Sequence, residues 1–220
     1  MKRFLFFLSF IVGISFEVNA QSKNVFTLSQ FSFEDTSGKK FKLDTLKGKV
    51  VFIDCWFPAC PPCRAEMPYS KLLQNRLHTL QMDSNIVFVT ISFKQSKEEW
   101  LTALKILPMP SAIHLYSPAS TYEMALAGGN YPTYKIFNTS GILDVEPTSY
   151  PRELGKIDFI LFAATQNISV TESKKIFEIE GSKLLKRSIP KSKSAVLNTF
   201  FNRYKKYEYS FKQDFLQLKH

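Results

Sequence analysis

Cys60 and Cys63, separated by Pro61 and Pro62, are the residues of this chain best suited to do chemistry. They follow an apolar run, Val50-Val51-Phe52-Ile53, that closes on Asp54 and Trp56. Beyond them Met67, Leu73, Leu77 and Leu80 recur at helical spacing. Two thiols so placed, between a strand and a helix start, can close a small disulfide ring and open it again. A helix N-terminus carries partial positive charge and unpaired N–H groups, which favour thiolate over thiol. The pattern points to reversible thiol-disulfide exchange. Cys60, nearest the helix start, is the expected nucleophile. Cys63, one turn later and expected to be less exposed, would resolve the mixed disulfide. An inert structural bridge is the duller alternative, but so short a loop constrains the unfolded chain little.

The elements that must position this pair can be read on either side. Residues 31–43 alternate around a turn at Asp35 to Gly38 and read as a hairpin. The run 50–55 reads as a buried strand. Pro68 predicts a kink or a break in the helix after Cys63. Asn85 to Ser92 is a second apolar strand, covered on both faces. Ser96 suits an N-cap, with Glu98 and Glu99 in the first turn of a helix reaching about Leu104. Residues 107–130, with Pro108, Pro110, Pro118, Gly128 and Gly129, read as irregular, with a small helix near 119–127. Tyr134 to Phe137 is a strand, and Asn138 to Gly141 turns into another. Arg152 to Ala164 has helical spacing through Leu154, Ile157, Ile160 and Leu161. A strand–helix–strand order implies a parallel pair and the late hairpin adds antiparallel strands, so the fold class is α/β with a central mixed sheet flanked by helices. Residues 189–194 resemble a linker. Ala195 to Leu218, rich in Phe, Tyr and Lys, reads as helical, and the sequence leaves open whether it packs on the domain or meets a partner.

Composition bounds the setting. Lys2 and Arg3, the apolar stretch Phe4 to Phe16 and the small-residue site Val18-Asn19-Ala20 read as a cleaved signal peptide over residues 1–20. That apolar stretch is short of the roughly 20 residues that span a bilayer. The chain is therefore expected to be exported, to a periplasm or cell envelope, where one disulfide can persist. Net charge is +10, and residues 168–220 hold 12 Lys and Arg against 5 Asp and Glu. That basic extension could meet an anionic membrane surface or an acidic partner, or be a solvated face. Nucleic acid is not expected, since no binding motif is present. No metal is expected, because a zinc site would need a second ligand pair and His78, His114 and His220 are unpaired. No cofactor is expected either.

The stretch from Lys47 to Pro68, with Tyr131-Pro132-Thr133 and Gly141, resembles the TlpA/ResA-type extracytoplasmic thioredoxin-like family of thiol-disulfide oxidoreductases. The resemblance covers about residues 25–165, which it implies to be a thioredoxin-like domain; residues 166–220 form a basic extension outside it. It implies a cis peptide at Tyr131-Pro132 beside the cysteines, with Tyr131, Pro132 and Trp56 on the substrate-binding side. It implies as partners disulfide-containing proteins and an upstream thiol electron donor. This chain departs from the family at Ala59, where tryptophan is common, and at Phe57 and Pro58, where small or polar residues are usual. Those changes should alter how a partner docks and leave the chemistry in place.

Cys63 must lose a proton in a mostly apolar site, which favours a nearby carboxylate. Asp54 and Glu66 are the candidates. Asp54 ends a buried strand, where an unpaired carboxylate is costly unless it has work to do. Glu66 lies one turn after Cys63 and has two readings, a proton carrier or a solvated glutamate complementing the helix dipole. Cys55 alternates with Asp54 and should face away as a small buried hydrophobe. Trp56 should pack beneath the active-site loop. Three functions use these features: a disulfide reductase, a disulfide oxidase, and a redox-inactive thioredoxin-like binding module.

Overall fold

A computed structural model of the protein describes residues 25–118, 122–188 and 191–218. The expected signal peptide and the first residues of the expected linker lie outside these. Seven strands form one sheet: β1 (Ser32–Glu34), β2 (Lys40–Lys42), β3 (Val50–Trp56), β4 (Ile86–Ser92), β5 (Ile113–Tyr116), β6 (Thr133–Phe137) and β7 (Leu143–Asp144), in the spatial order β2-β1-β5-β4-β3-β6-β7. β3 and β4 run parallel, as do β4 and β5, while β6 joins β3 antiparallel. This is the mixed sheet expected from the order of elements.

The helices of the first half are α1 (Pro61–Thr79), α2 (Lys97–Ile106) and the short α3 (Glu123–Leu126). Ser96 caps α2, its hydroxyl accepting from the Glu99 N–H at 3.2 Å. α1 runs through Pro68 without the expected break. Leu73 and Leu77, both fully buried against the sheet, hold the second half of the helix in line. The region 107–130 also differs from expectation, since Ile113–Tyr116 adds a strand. Its prolines flank it, and its strand character comes from pairing Val89 with Ile113 through Ser92 with Tyr116.

Pleating divides β3 between two cores. Val50 and Phe52 face a cluster built from α1 and α4 (Lys156–Ala164); Val51, Ile53 and Cys55 face a second, with Leu28, Phe31, Phe33 and Leu126. α4 begins later than its periodicity suggests. Gly155 adopts φ +81, ending the preceding turn, and its N–H donates to Asp158 Oδ2 at 2.9 Å. The Asp158 carboxylate also takes Arg76 Nε of α1 at 2.7 Å, and both side chains are almost wholly buried. That pair clamps α1 to α4.

The last quarter of the chain forms α5 (Val170–Ile176), a π-helical turn Phe177–Gly181, α6 (Ser182–Leu185), α7 (Ala195–Tyr204) and α8 (Glu208–Gln217). The structure decides where this extension goes. Phe177, Leu197, Phe200, Tyr204 and Phe211 enter the same cluster as Phe159 and Ile160 of α4. The helices therefore complete a core on one face of the sheet. Among the described residues no helix is long and apolar enough to cross a membrane.

Candidate redox site

Cys60 is the N-cap of α1, and its Sγ accepts a hydrogen bond from the Cys63 N–H at 3.1 Å. Pro61 and Pro62 occupy the first helical positions, where a missing N–H costs nothing. The two cysteines are joined by a disulfide, with Cα atoms 5.3 Å apart. Each is 2 % exposed, so the expected difference in exposure is absent. Both lie in one apolar cluster with Trp56, Met67 and Trp100, against which Phe57, Met109 and Tyr131 pack. Trp56 is fully buried in that cluster. It supports the active-site loop from within and offers no surface to a partner, which corrects its placement on the substrate-binding side.

The loop before Cys60 is held from a distance. The Ala59 N–H donates to Gln95 Oε1 at 2.7 Å, and the Phe93 N–H to the Trp56 carbonyl at 3.0 Å. Tyr131-Pro132 is a cis peptide. The Tyr131 ring meets Phe57 edge-on at 5.0 Å and carries Lys94 Nζ 4.5 Å from its centre. Its hydroxyl donates to Glu123 Oε1 at 2.8 Å, and Glu123 in turn pairs with Lys94 at 3.3 Å. Among the described residues, the main-chain N–H and C=O of Tyr131 make no intrachain backbone bond. Beside it runs an open groove of about 980 Å³, lined by Tyr131, Pro132, Lys135, Pro147, Thr148 and Tyr150 among others. Gln95, Lys94 and Glu123 escaped the sequence reading, because each is an ordinary polar residue whose role exists only through a contact remote in sequence.

Asp54 and Glu66 are brought together, Glu66 standing one helical turn after Cys63 on α1. Asp54 sits opposite Tyr134 across the β3–β6 ladder and is 6 % exposed; Glu66, on α1, is 2 % exposed. Burial pushes the Asp54 carboxyl up to about 8, and the charge of Glu66 adds to the shift. Burial also raises Glu66, against the opposing pull of Arg152, whose Nε pairs with Glu66 Oε1. Asp54 Oδ1 and Glu66 Oε2 have no hydrogen-bond partner among the described residues. The solvated reading of Glu66 therefore fails. Cys55 faces the other core, and burial drives its thiol well above the ordinary range.

A carboxyl whose folded-state value lies above its unfolded value binds extra proton in the folded state. Its cost to stability is absent below about pH 4 and grows as pH rises towards 8. Asp54→Asn should therefore come close to the wild type in stability at pH 4 and exceed it at pH 8, by on the order of 5 kcal/mol. Urea unfolding at the two pH values checks this; an equal difference at both would refute the burial argument.

The Redoxin family profile matches residues 23–140, more than half of the chain. The chain belongs to the Redoxin family. Among curated relatives, this Redoxin chain is 51% identical over 39 residues to the thiol-disulfide oxidoreductase ResA of Bacillus subtilis, a match covering 18% of this chain and 22% of ResA. It is 26% identical over 113 residues to the thioredoxin-like protein YneN of the same organism, covering 51% of this chain and 64% of YneN. The matched segments thus span from about a fifth to just under two thirds of these relatives. Among solved structures, a candidate thiol-disulfide oxidoreductase from Bacteroides vulgatus superimposes with a TM-score of 0.53 at 22% identity, covering 61% of this chain and 91% of its own. A candidate thioredoxin from Neisseria meningitidis gives 0.50 at 25% identity, covering 62% and 88%. The Redoxin chain therefore has the thioredoxin-like fold, with additional C-terminal helices.

Proposed function

We propose that this protein is an exported thiol-disulfide oxidoreductase that reduces disulfides in partner proteins. The observation that carries the reading is the Cys60–Cys63 disulfide across the first turn of α1, with the Cys63 N–H on Cys60 Sγ. That N–H and the helix N-terminus favour a thiolate at Cys60 once the pair is reduced. The Cys60 thiolate attacks one sulfur of a partner disulfide; a mixed disulfide forms and one partner thiolate leaves. Opening of the pair by the donor passes the Asp54 proton to Cys63 and leaves Asp54 ionised; Cys63 then returns that proton to Asp54, attacks Cys60 Sγ and expels the second partner thiolate. Two electrons pass to the partner, and the Cys60–Cys63 bond is restored for an upstream thiol donor to reduce. The main chain of Tyr131, which makes no intrachain backbone bond among the described residues, supports docking of an extended peptide beside Pro132. The buried Asp54–Glu66 pair supports proton transfer near neutral pH. Export rests on Lys2, Arg3 and the apolar stretch after them.

The test is the reduction potential of the pair, by equilibration with glutathione or dithiothreitol, together with reduction of insulin disulfides. A potential near or below about −250 mV supports the reductase. One near about −120 mV makes the same residues an oxidase. No reversible titration leaves a binding module.

A further inference from the structure

Glu66 and Asp54 form a buried acidic pair that two negative charges could occupy only at high cost. The groups facing the pair come from every element around it. β3 supplies Asp54 and β6 supplies Tyr134. α1 supplies Glu66 and Tyr69, with Cys63 one helical turn before Glu66, and the segment before α4 supplies Arg152 and Glu153. Among these groups Arg152 is the one cation.

Arg152 does not reach Glu66 by chance of a loose surface chain. The Pro151 carbonyl, one residue before it, accepts from Arg76 Nη2 at 3.4 Å, and Arg76 is itself locked on Asp158. The Arg152 carbonyl accepts the Leu154 N–H at 2.9 Å, and the Tyr150 N–H donates to Glu153 at 2.8 Å. The guanidinium lies 5.1 Å from the centre of the Tyr69 ring and places Nε on Glu66 Oε1. Its side chain is 48% exposed while that of Glu66 is 3% exposed, so a solvated cation closes over a carboxylate that water scarcely reaches. The same segment forms one wall of the groove beside Tyr131 through Pro147, Thr148 and Tyr150.

We infer that Arg152 is a positioning residue for proton transfer at the cysteine pair, holding Glu66 as the ionised member so that Asp54 is the member that carries the proton at neutral pH. The inference deepens the proposed exchange function and rests on it for its role in turnover. Glu66 then contributes a fixed negative charge, and only Asp54 trades its proton with Cys63. Without the guanidinium Glu66 loses its counter-charge, and through the coupling of the two carboxyls the protons of the pair leave at higher pH. That change is electrostatic and acts on Asp54 through Glu66, since Arg152 pairs with Glu66 and not with Asp54.

The experiment follows the carbonyl stretch of protonated buried carboxyls by infrared difference spectroscopy, in the oxidised full chain, from pH 4 to 10. Wild type should show one such group at pH 7, lost in Asp54→Asn. Arg152→Met should show two, with the titration of the pair displaced upward by about one to three pH units. Arg152→Lys should restore one group, because it restores the cation. In a Glu66→Gln background, adding Arg152→Met should leave the Asp54 titration in place. The alkaline limb of insulin reduction should move with the carboxyl titration in each variant. A single protonated group in Arg152→Met, or an equal displacement in the Glu66→Gln background, overturns the inference. The infrared readout needs no turnover. A wild-type protein without exchange activity would therefore sink the proposed function and still leave the infrared titration to decide how Arg152 acts on the pair.

Discussion

Cys60→Ser is expected to give a folded protein with no disulfide turnover, and Cys63→Ser a folded protein that becomes trapped on its partner. Serine is a preferred N-cap, so the start of α1 survives the first change. The lost bridge closes a loop with two residues between its ends, too short to restrain the unfolded chain much. What disappears is the attacking sulfur. In Cys63→Ser the Cys60 thiolate still attacks, but nothing resolves the mixed disulfide, which should accumulate and be released by dithiothreitol. Non-reducing electrophoresis with an insulin substrate reads both outcomes. Residual turnover in Cys60→Ser would refute the assignment, and trapping by Cys60→Ser in place of Cys63→Ser would exchange the two roles. A binding module would show neither trapping nor wild-type turnover and would keep partner binding in both variants.

Phe200→Ala should cost roughly 3–5 kcal/mol of stability. The ring is fully buried on α7, with centroids 5.6 Å from Phe159, 5.9 Å from Phe162 and 5.2 Å from Tyr204. Deleting it opens a cavity between the C-terminal helices and α4, where no neighbour can move in without breaking its own contacts. Tyr209→Ala, on α8 at 78% exposure, should stay within about 0.5 kcal/mol of wild type and serves as the control. Guanidinium chloride unfolding compares the two. A loss below about 1 kcal/mol for Phe200→Ala would mean that the extension does not share the core of the domain.

The two changes mark the limits of what the chain states locally. Cys60, Cys63 and the apolar run before them are legible because exchange chemistry needs a short spacing and a strand-to-helix junction, both local in sequence. Asp54 stands out for a similar reason, as a charge ending a run that is otherwise apolar. The order of strands and helices follows from hydrophobic period, and with it the mixed sheet. β5 was not legible. Four residues flanked by prolines, one of them His114, carry little strand signal of their own, and their conformation is imposed by the β4 edge beside them.

The C-terminal helices could be read as helices but not placed, because an amphipathic face does not say which apolar surface it will cover. Glu66 was ambiguous at the same level. First-turn glutamates are usually solvated, and its burial depends on α1 packing against the sheet. Arg152 reads from periodicity as the first residue of a helix, whereas Gly155 ends a turn there and the guanidinium is delivered to a carboxylate 86 residues earlier in the chain. The sequence by itself determined which cysteines pair, which acid is buried at the end of the strand before them, and the kind of sheet that carries them. The tertiary structure alone decided which charges meet in the buried space between β3 and α1, since burial and counter-charge depend on distance in space.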